Sequence, residues 1–224
     1  MDARLAVIVP ALNEAASIVD ALAALAPLRA RGHQAIVVDG GSADATAELA
    51  RPHCDRLLTS ARGRAVQMNA GARAAEADAL VFLHADTRLP PRADALILDA
   101  LRGHLWGRFD VQIDGRHPLL GMVSCAMNLR SKLTGIATGD QAIFVRREAF
   151  PGFPEIPLME DIAFSRAMKR AGRPACLRQP VVTSGRRWES RGVLRTIVLM
   201  WRLRLLFALG VAPQRLARDY TDPR

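Results

Sequence analysis

A chain of 224 residues, half of them hydrophobic, is long enough for one large domain and too apolar to be disordered. Its formal charge of +9 is uneven: between residues 186 and 218 eight arginines face the single Glu189, leaving +7 there, so the basicity belongs to a tail and not to a nucleic-acid-binding core. Cys54, Cys125 and Cys176 have the spacing of neither a zinc site nor a disulfide framework, and no secretory signal is visible, so a reducing cytoplasm is the expected setting.

Leu5-Ala6-Val7-Ile8-Val9-Pro10 reads as a first strand, and Ala11-Leu12-Asn13-Glu14 turns into a helix running to about Arg29, with Ile18, Leu22 and Leu25 on one face. Ala35-Ile36-Val37-Val38-Asp39 is a second strand ending in a carboxylate. Gly40-Gly41-Ser42 makes the turn, and Ser42 or Asp44 is expected to cap the next helix. A short strand at Arg56-Leu57-Leu58 and a helix over 64–77 lead to Leu80-Val81-Phe82-Leu83, a buried parallel strand that ends abruptly in His84-Ala85-Asp86. Residues 106–113 alternate like a strand with one exposed face, 117–133 read as a helix, and 141–145 as a further strand. A helix over 160–170, a late strand at Val181-Val182-Thr183 and a strongly apolar helix over 193–211, with Arg195, Arg202 and Arg204 embedded, complete the chain. Strands alternating with helices predict an α/β fold, a Rossmann-like, mostly parallel mixed sheet flanked by helices and followed by a basic amphipathic helix. One domain is expected: residues 1 to about 100 as a nucleotide-binding half, about 101–190 as an acceptor half, and about 191–224 as a basic tail.

Several residues carry chemistry in more than one reading. Asp86, at the C-terminal end of a strand, either caps the following turn or holds a divalent metal on a diphosphate. Asp39 before Gly40-Gly41-Ser42 either caps a tight turn or bonds a ribose hydroxyl or base N–H, the glycines letting the backbone approach a ligand. Arg62-Gly63-Arg64 before a helix is a solvated basic turn or an anion site. Glu160-Asp161 suits a first helical turn, and a carboxylate there can also serve as a general base toward a sugar hydroxyl. Asp140 and Gln141 sit at the mouth of a strand and either line the same pocket or make a turn. Arg186-Arg187-Trp188 is a basic surface loop anchored by the indole, or a pair of cations for a leaving diphosphate with a ring to stack on. No Gly-x-Gly-x-x-Gly follows the first strand and no Gly-Lys-Ser/Thr loop exists, which excludes the common dinucleotide and P-loop sites.

In this order the motifs resemble those of family 2 glycosyltransferases with the GT-A fold. The matching stretches are Val7 to Glu14, Val37 to Ser42, Arg62-Gly63-Arg64, Leu83-His84-Ala85-Asp86-Thr87 at the place of the family's Asp-x-Asp, and Glu160-Asp161. With Gln67-Met68-Asn69-Ala70-Gly71-Ala72 and Thr183-Ser184-Gly185-Arg186-Arg187-Trp188 the chain looks like a small bacterial subgroup found beside radical-SAM and selenodomain proteins. The resemblance implies a UDP- or GDP-type sugar donor, an acceptor of unknown structure, a Mn2+ or Mg2+ ion, and inversion at the anomeric carbon. It places Pro10, Asn13, Glu14, Asp39 and Gly41 at the nucleoside and Arg64 near the base or diphosphate. Asp86 falls at the metal, Asp161 is the base beside Glu160, and Arg187 meets the leaving group. Asp140, Gln141 and Trp188 fall on the acceptor side. His84 stands where the family has its first Asp, so one carboxylate holds the metal with the diphosphate and waters. Ser184 stands at the Gln of the processive Gln-x-x-Arg-Trp motif, which implies single transfers.

Two other classes share these features. A sugar nucleotidylyltransferase calls for a Gly-rich phosphate loop where this chain has Ala11-Leu12-Asn13-Glu14, and a non-catalytic binding protein has no need of Asp161 opposite Asp86. For residues 193–211, three internal arginines make a membrane span costly. The helix is then either interfacial on anionic lipid or packed on the domain with its arginines snorkelling to solvent.

Overall fold

Apolar runs build the sheet in the computed structural model, which describes residues 3–220. Its strands are β1 (Leu5–Ala11), β2 (Gln34–Asp39), β3 (Arg56–Thr59), β4 (Ala79–Phe82), β5 (Thr87–Arg88), β6 (Trp106–Asp114), β7 (Ile143–Arg146) and β8 (Ala175–Ser184). They lie in the order β3-β2-β1-β4-β7-β6-β8-β5. β3, β2, β1 and β4 are parallel; β7 runs antiparallel between β4 and β6, while β8 is parallel to β6. Alternate side chains of β1 feed opposite layers. Leu5, Val7 and Val9 join one apolar cluster and Ala6 and Ile8 the other, as a strand covered on both faces requires.

The helices are α1 (Ile18–Ala23), α2 (Ala26–Ala30), α3 (Thr46–Ala50), α4 (Arg64–Ala74), α5 (Ala93–Gly103), α6 (Leu119–Thr134), α7 (Glu160–Ala171), α8 (Arg186–Arg191), α9 (Val193–Ala208) and α10 (Pro213–Asp219). The helix expected to reach Arg29 is two short ones. Pro27 lies in the first turn of α2, where its missing N–H costs nothing, and the chain tightens at Leu25 into a bond three residues back to Leu22. The N-cap position of α3 is Ala45, and Asp44 just before it accepts from the first N–H of the helix, that of Thr46, at 3.0 Å, while Ser42 bonds Asp39 instead. The helix expected over 64–77 stops at Ala74. α5 is an element that the sequence reading did not assign. The strand expected from Gln141 begins at Ile143 because Gly139–Gln141 form a 3-10 turn. β8 starts at Ala175, six residues before the expected strand, and residues 186–188 open α8 rather than a loop. The helix expected over 193–211 ends at Ala208, before Gly210 turns the chain with φ +86° into α10.

α4 is held close to the sheet. Gly71 lets it approach β1 and β2: a Cβ there would meet Ile8 Cγ2 at 2.5 Å and Val38 Cγ2 at 3.1 Å. Gln67 on the same helix donates to the carbonyls of Ala11 (2.8 Å) and Val38 (2.9 Å), joining the C-terminal ends of β1 and β2. These strand ends are the edge at which open α/β sheets bind ligands.

Candidate active site

Two cavities open at that edge. The first, of about 240 Å³, is bordered by Pro10, Ala11 and Leu12 from the end of β1, by Arg64 and Gln67 of α4, and by Ala217 and Tyr220 from the end of the chain. The second, of about 100 Å³, brings together Asp86, Asp140, Glu160, Asp161, Arg187 and Trp188. Arg64, His84, Leu158 and Tyr220 border both. Pro10 and Tyr220, more than two hundred positions apart in sequence, thus line one cavity.

Of the expected donor residues, Pro10 and Arg64 line a cavity. Asn13, Glu14, Asp39 and Gly41 build the loops behind it. The backbone N–H of Asn13 donates to Ser42 Oγ (2.9 Å), and its side chain accepts from Ala43 N–H (2.9 Å). Glu14 N–H donates to Thr46 Oγ1 (2.7 Å), and its carboxylate accepts from Ser17 (2.9 Å). Asp39 accepts from the N–H groups of Gly41 and Ser42, both at 3.0 Å, and from the Ser42 hydroxyl. Gly41 supplies the positive φ (+84°) that this turn needs. Gln141 is fully buried outside both linings. Its carbonyl accepts from Thr138 N–H (3.1 Å) and its amide donates to Asn128 (3.4 Å), so it supports the turn that carries Asp140.

Asp161 Oδ2 accepts from Gly139 N–H (2.9 Å) and Oδ1 from Ile162 N–H (2.7 Å). Burial and then the neighbouring Glu160 raise its pKa, outweighing those N–H groups and the Arg64 charge. Glu160 points the other way: its carboxylate, 3% exposed, pairs with Arg64 at 3.1 Å. Burial alone would lower the Arg64 pKa; Glu160, with Tyr220, Asp161 and Asp140 behind it, reverses this and keeps the guanidinium charged.

Asp140 lies 3.3 Å from His84 Nδ1. Its enclosure would raise its pKa, but the His84 hydrogen bond, then the charges of His84, Arg64 and Arg187, hold it at about 2. His84 Nε2 is buried, has no hydrogen-bond partner among the described residues, and packs against Gly139, where an added Cβ would lie 2.5 Å from it. Gly139→Ala therefore displaces the imidazole from Asp140. The expected result is an Asp140 pKa moved up toward the ordinary carboxylate value of about 4, read by carboxyl carbon NMR titration. Arg187 donates to the Tyr220 hydroxyl and stacks on its ring, 4.6 Å from guanidinium carbon to centroid.

The divalent ion implied by the resemblance can be tested against these side chains. Among the described residues no three His, Cys, Asp or Glu side chains gather as a metal cage. Asp86 borders the cavity, and its carboxylate takes one long hydrogen bond, from Thr87 at 3.4 Å. One lightly engaged carboxylate facing a cavity fits a hard cation that fills its shell with diphosphate oxygens and water.

Several residues that line the cavity belong to no sequence motif, among them Tyr220, the chain's only tyrosine, Arg204 of α9 and Met159. Only Arg204 gave a signal, a charge within an apolar helix. Met159 precedes α7 with φ +69°, turning the chain so that Glu160 and Asp161 open the helix at the cavity wall.

Residues 6–116 match the family Glycosyl transferase family 2. That match spans β1 to β6. Among solved structures, the Staphylococcus aureus TarS fragment 1–349 superposes with a TM-score of 0.64 at 20% identity, covering 81% of this chain and 60% of that one. The same fragment in complex with UDP-GlcNAc gives 0.64 at 18% identity, with 81% and 58% covered. Glucosyl-3-phosphoglycerate synthase from Mycobacterium tuberculosis, in complex with Mn2+, UDP and glucosyl-3-phosphoglycerate, gives 0.60 at 20% identity, with 80% and 70% covered. This chain therefore spans about 60% of the length of the TarS fragment. No curated protein matches it significantly. The fold is that of the GT-A glycosyltransferases.

Proposed function

We propose that this protein moves one sugar from a UDP- or GDP-type donor to an acceptor hydroxyl, with inversion. The observation that carries this reading is a pair of carboxyls on one cavity: Asp161, with its raised pKa, and Asp86, lightly engaged. The family 2 match supports it, as do the UDP and Mn2+ of the neighbouring structures. Resemblance to the radical-SAM-associated subgroup rests on sequence motifs alone.

In this mechanism the nucleoside lies against Pro10 and Gln67, on loops fixed by Asn13, Glu14, Asp39 and Gly41. Asp86 holds Mn2+ or Mg2+, which when bound supplies a Lewis acid to the diphosphate. Asp161 accepts the proton of the acceptor hydroxyl. The acceptor oxygen bonds the anomeric carbon as the bond from that carbon to the diphosphate oxygen breaks. Arg187 and Arg64, whose charge Glu160 secures, face the charge that develops on the departing diphosphate. Trp188 and Asp140 border the acceptor, and Gln141 supports Asp140 from behind.

A thermal-shift screen against UDP, GDP, CMP and dTDP conjugates, with and without Mn2+, tests the reading. A donor present at about 100 times its Kd stabilises the fold by roughly 2.7 kcal/mol, a rise on the order of 5–10 °C for a chain of this size. A shift with none of them overturns the proposal. The raised pKa of Asp161 also sets a pH dependence. Below that pKa the carboxyl is protonated and accepts no proton, so kcat/KM falls on the acid side with a midpoint above the ordinary carboxylate value of about 4. A pH–rate profile reads that midpoint.

A further inference from the structure

A third cavity, of about 250 Å³, lies between α6 and α9. Met122, Val123 and Met127 line it from α6, and Ile197, Met200 and Trp201 from α9. Asp140, Trp188, Met200 and Arg204 border both this cavity and the catalytic one, so the two spaces adjoin. The apolar cavity thus abuts the one that holds the proposed base.

Arg204 borders both spaces, and Arg130 lines the apolar one beside it. Nε and Nη2 of Arg130 and Nε of Arg204 are buried and have no hydrogen-bond partner among the described residues. The one hydrogen bond of the Arg130 side chain is long, Nη1 to the Ile136 carbonyl at 3.4 Å. Burial and then the Arg204 charge lower the Arg130 pKa to about 10. Buried cationic N–H groups without acceptors are costly, and two adjacent guanidiniums more so. Planar N–H donors at such a place suit a phosphate or carboxylate.

Outside this cavity both helices turn apolar side chains to solvent. On α9 and its cap Leu194, Val198, Trp201, Leu205 and Leu209 are 61–72% exposed, spaced four, three, four and four residues apart along one face. On α6 Met122, Leu129 and Leu133 are exposed likewise. An apolar face of this extent beside exposed arginines such as Arg195, in a segment carrying +7, complements an anionic bilayer surface. No helix among the described residues is long and apolar enough to cross a membrane.

We propose that the acceptor is an acidic lipid. The exposed faces of α6 and α9 rest on the bilayer, the lipid chain lies between the two helices, and Arg130 and Arg204 bind the anionic head. The head presents its hydroxyl to Asp161, which takes the proton as the oxygen bonds the anomeric carbon and the diphosphate leaves. This inference rests on the transfer reading above and adds to it the class of acceptor.

The test uses the full chain with two kinds of vesicle, phosphatidylcholine alone and phosphatidylcholine mixed equally with phosphatidylglycerol. Sedimentation with the mixed vesicles only, lost in a Trp201→Glu/Leu205→Glu variant that keeps its nucleotide thermal shift, is the expected result. Tryptophan fluorescence then follows monomeric dihexanoyl phosphatidylglycerol, dihexanoyl phosphatidylcholine and inorganic phosphate. Saturation by the first alone is expected, with affinity reduced at least tenfold in Arg130→Gln/Arg204→Gln, a variant that removes two poorly compensated charges and so retains its melting temperature. Equal binding to both vesicles, response to inorganic phosphate alone, or unchanged affinity in the arginine variant overturns the lipid acceptor. If the UDP or GDP shift is present while lipid binding is absent, this inference alone fails. If every nucleotide shift is absent, the transfer reading fails, and the acceptor role with it.

Discussion

Asp161→Asn lowers turnover by about 10²–10⁴-fold, the usual worth of a positioned general base, and leaves nucleotide affinity within a factor of two or so of the parent. Asparagine keeps the shape of the side chain but has no carboxylate to take a proton from the acceptor. Its single carbonyl oxygen also serves only one of the two N–H groups, Gly139 or Ile162, that the carboxylate now accepts from. The other is left unpaired, at a cost of about 1–3 kcal/mol, so melting is recorded beside the kinetics to separate lost chemistry from lost fold. Steady-state rates and calorimetric titration with UDP and GDP are the measurements. Normal turnover in this variant removes Asp161 as the base.

Arg64→Ala gives the largest loss of stability. Glu160 is 3% exposed, and Arg64 is its ion-pair partner at 3.1 Å. Removing the cation leaves a buried carboxylate uncompensated, which costs about 3–5 kcal/mol, or on the order of 10 °C in melting temperature for a chain of this length. The double change Arg64→Ala/Glu160→Gln recovers most of that loss, because no buried charge then remains, and the recovery measures the coupling between the two residues. Neither variant regains the nucleotide shift, since Arg64 borders both cavities. Urea denaturation of the four proteins in the cycle reads the stability, and equal stability of parent and Arg64→Ala excludes the pair as a structural element.

The strands β1, β2 and β4 were legible because their residues are buried on both faces and leave an unbroken apolar run. α5 was not. It follows Pro90 and Pro91, and its N-cap is Arg92 in the left-handed region (φ +55°) instead of a Ser, Thr, Asp or Asn that announces a start. Its core contact through Ala93, Ile97 and Leu101 has helical spacing, yet too few positions to stand out. The split between α1 and α2 had a visible sign in Pro27. Among the residues that line the cavity, Asp86, Asp161 and Arg64 stood out in the sequence because each lies at the end or start of a readable element. Glu160 and Asp161 are neighbours in sequence with opposite partners, a distinction set by helix rotation about Met159 and not by residue type. Gln141 was expected on the acceptor side and is instead buried behind Asp140, since the 3-10 turn after Thr138 buries it and leaves Asp140 at the cavity. Arg130 and Arg204 come together only through the packing of two distant helices, for which sequence spacing carries no sign.

The lining of the first cavity joins Pro10 from β1 with Ala217 of α10 and Tyr220 just after it. During synthesis the residues that β1 contributes therefore wait until α10 has emerged before the rest of the lining exists. A fragment limited to residues 6–116, the segment that carries the family match, holds one bank of that cavity and lacks the other. Nascent chains stalled before α10 are therefore expected to lack the part of the lining that Ala217 and Tyr220 supply, and under the proposed function to bind nucleotide weakly.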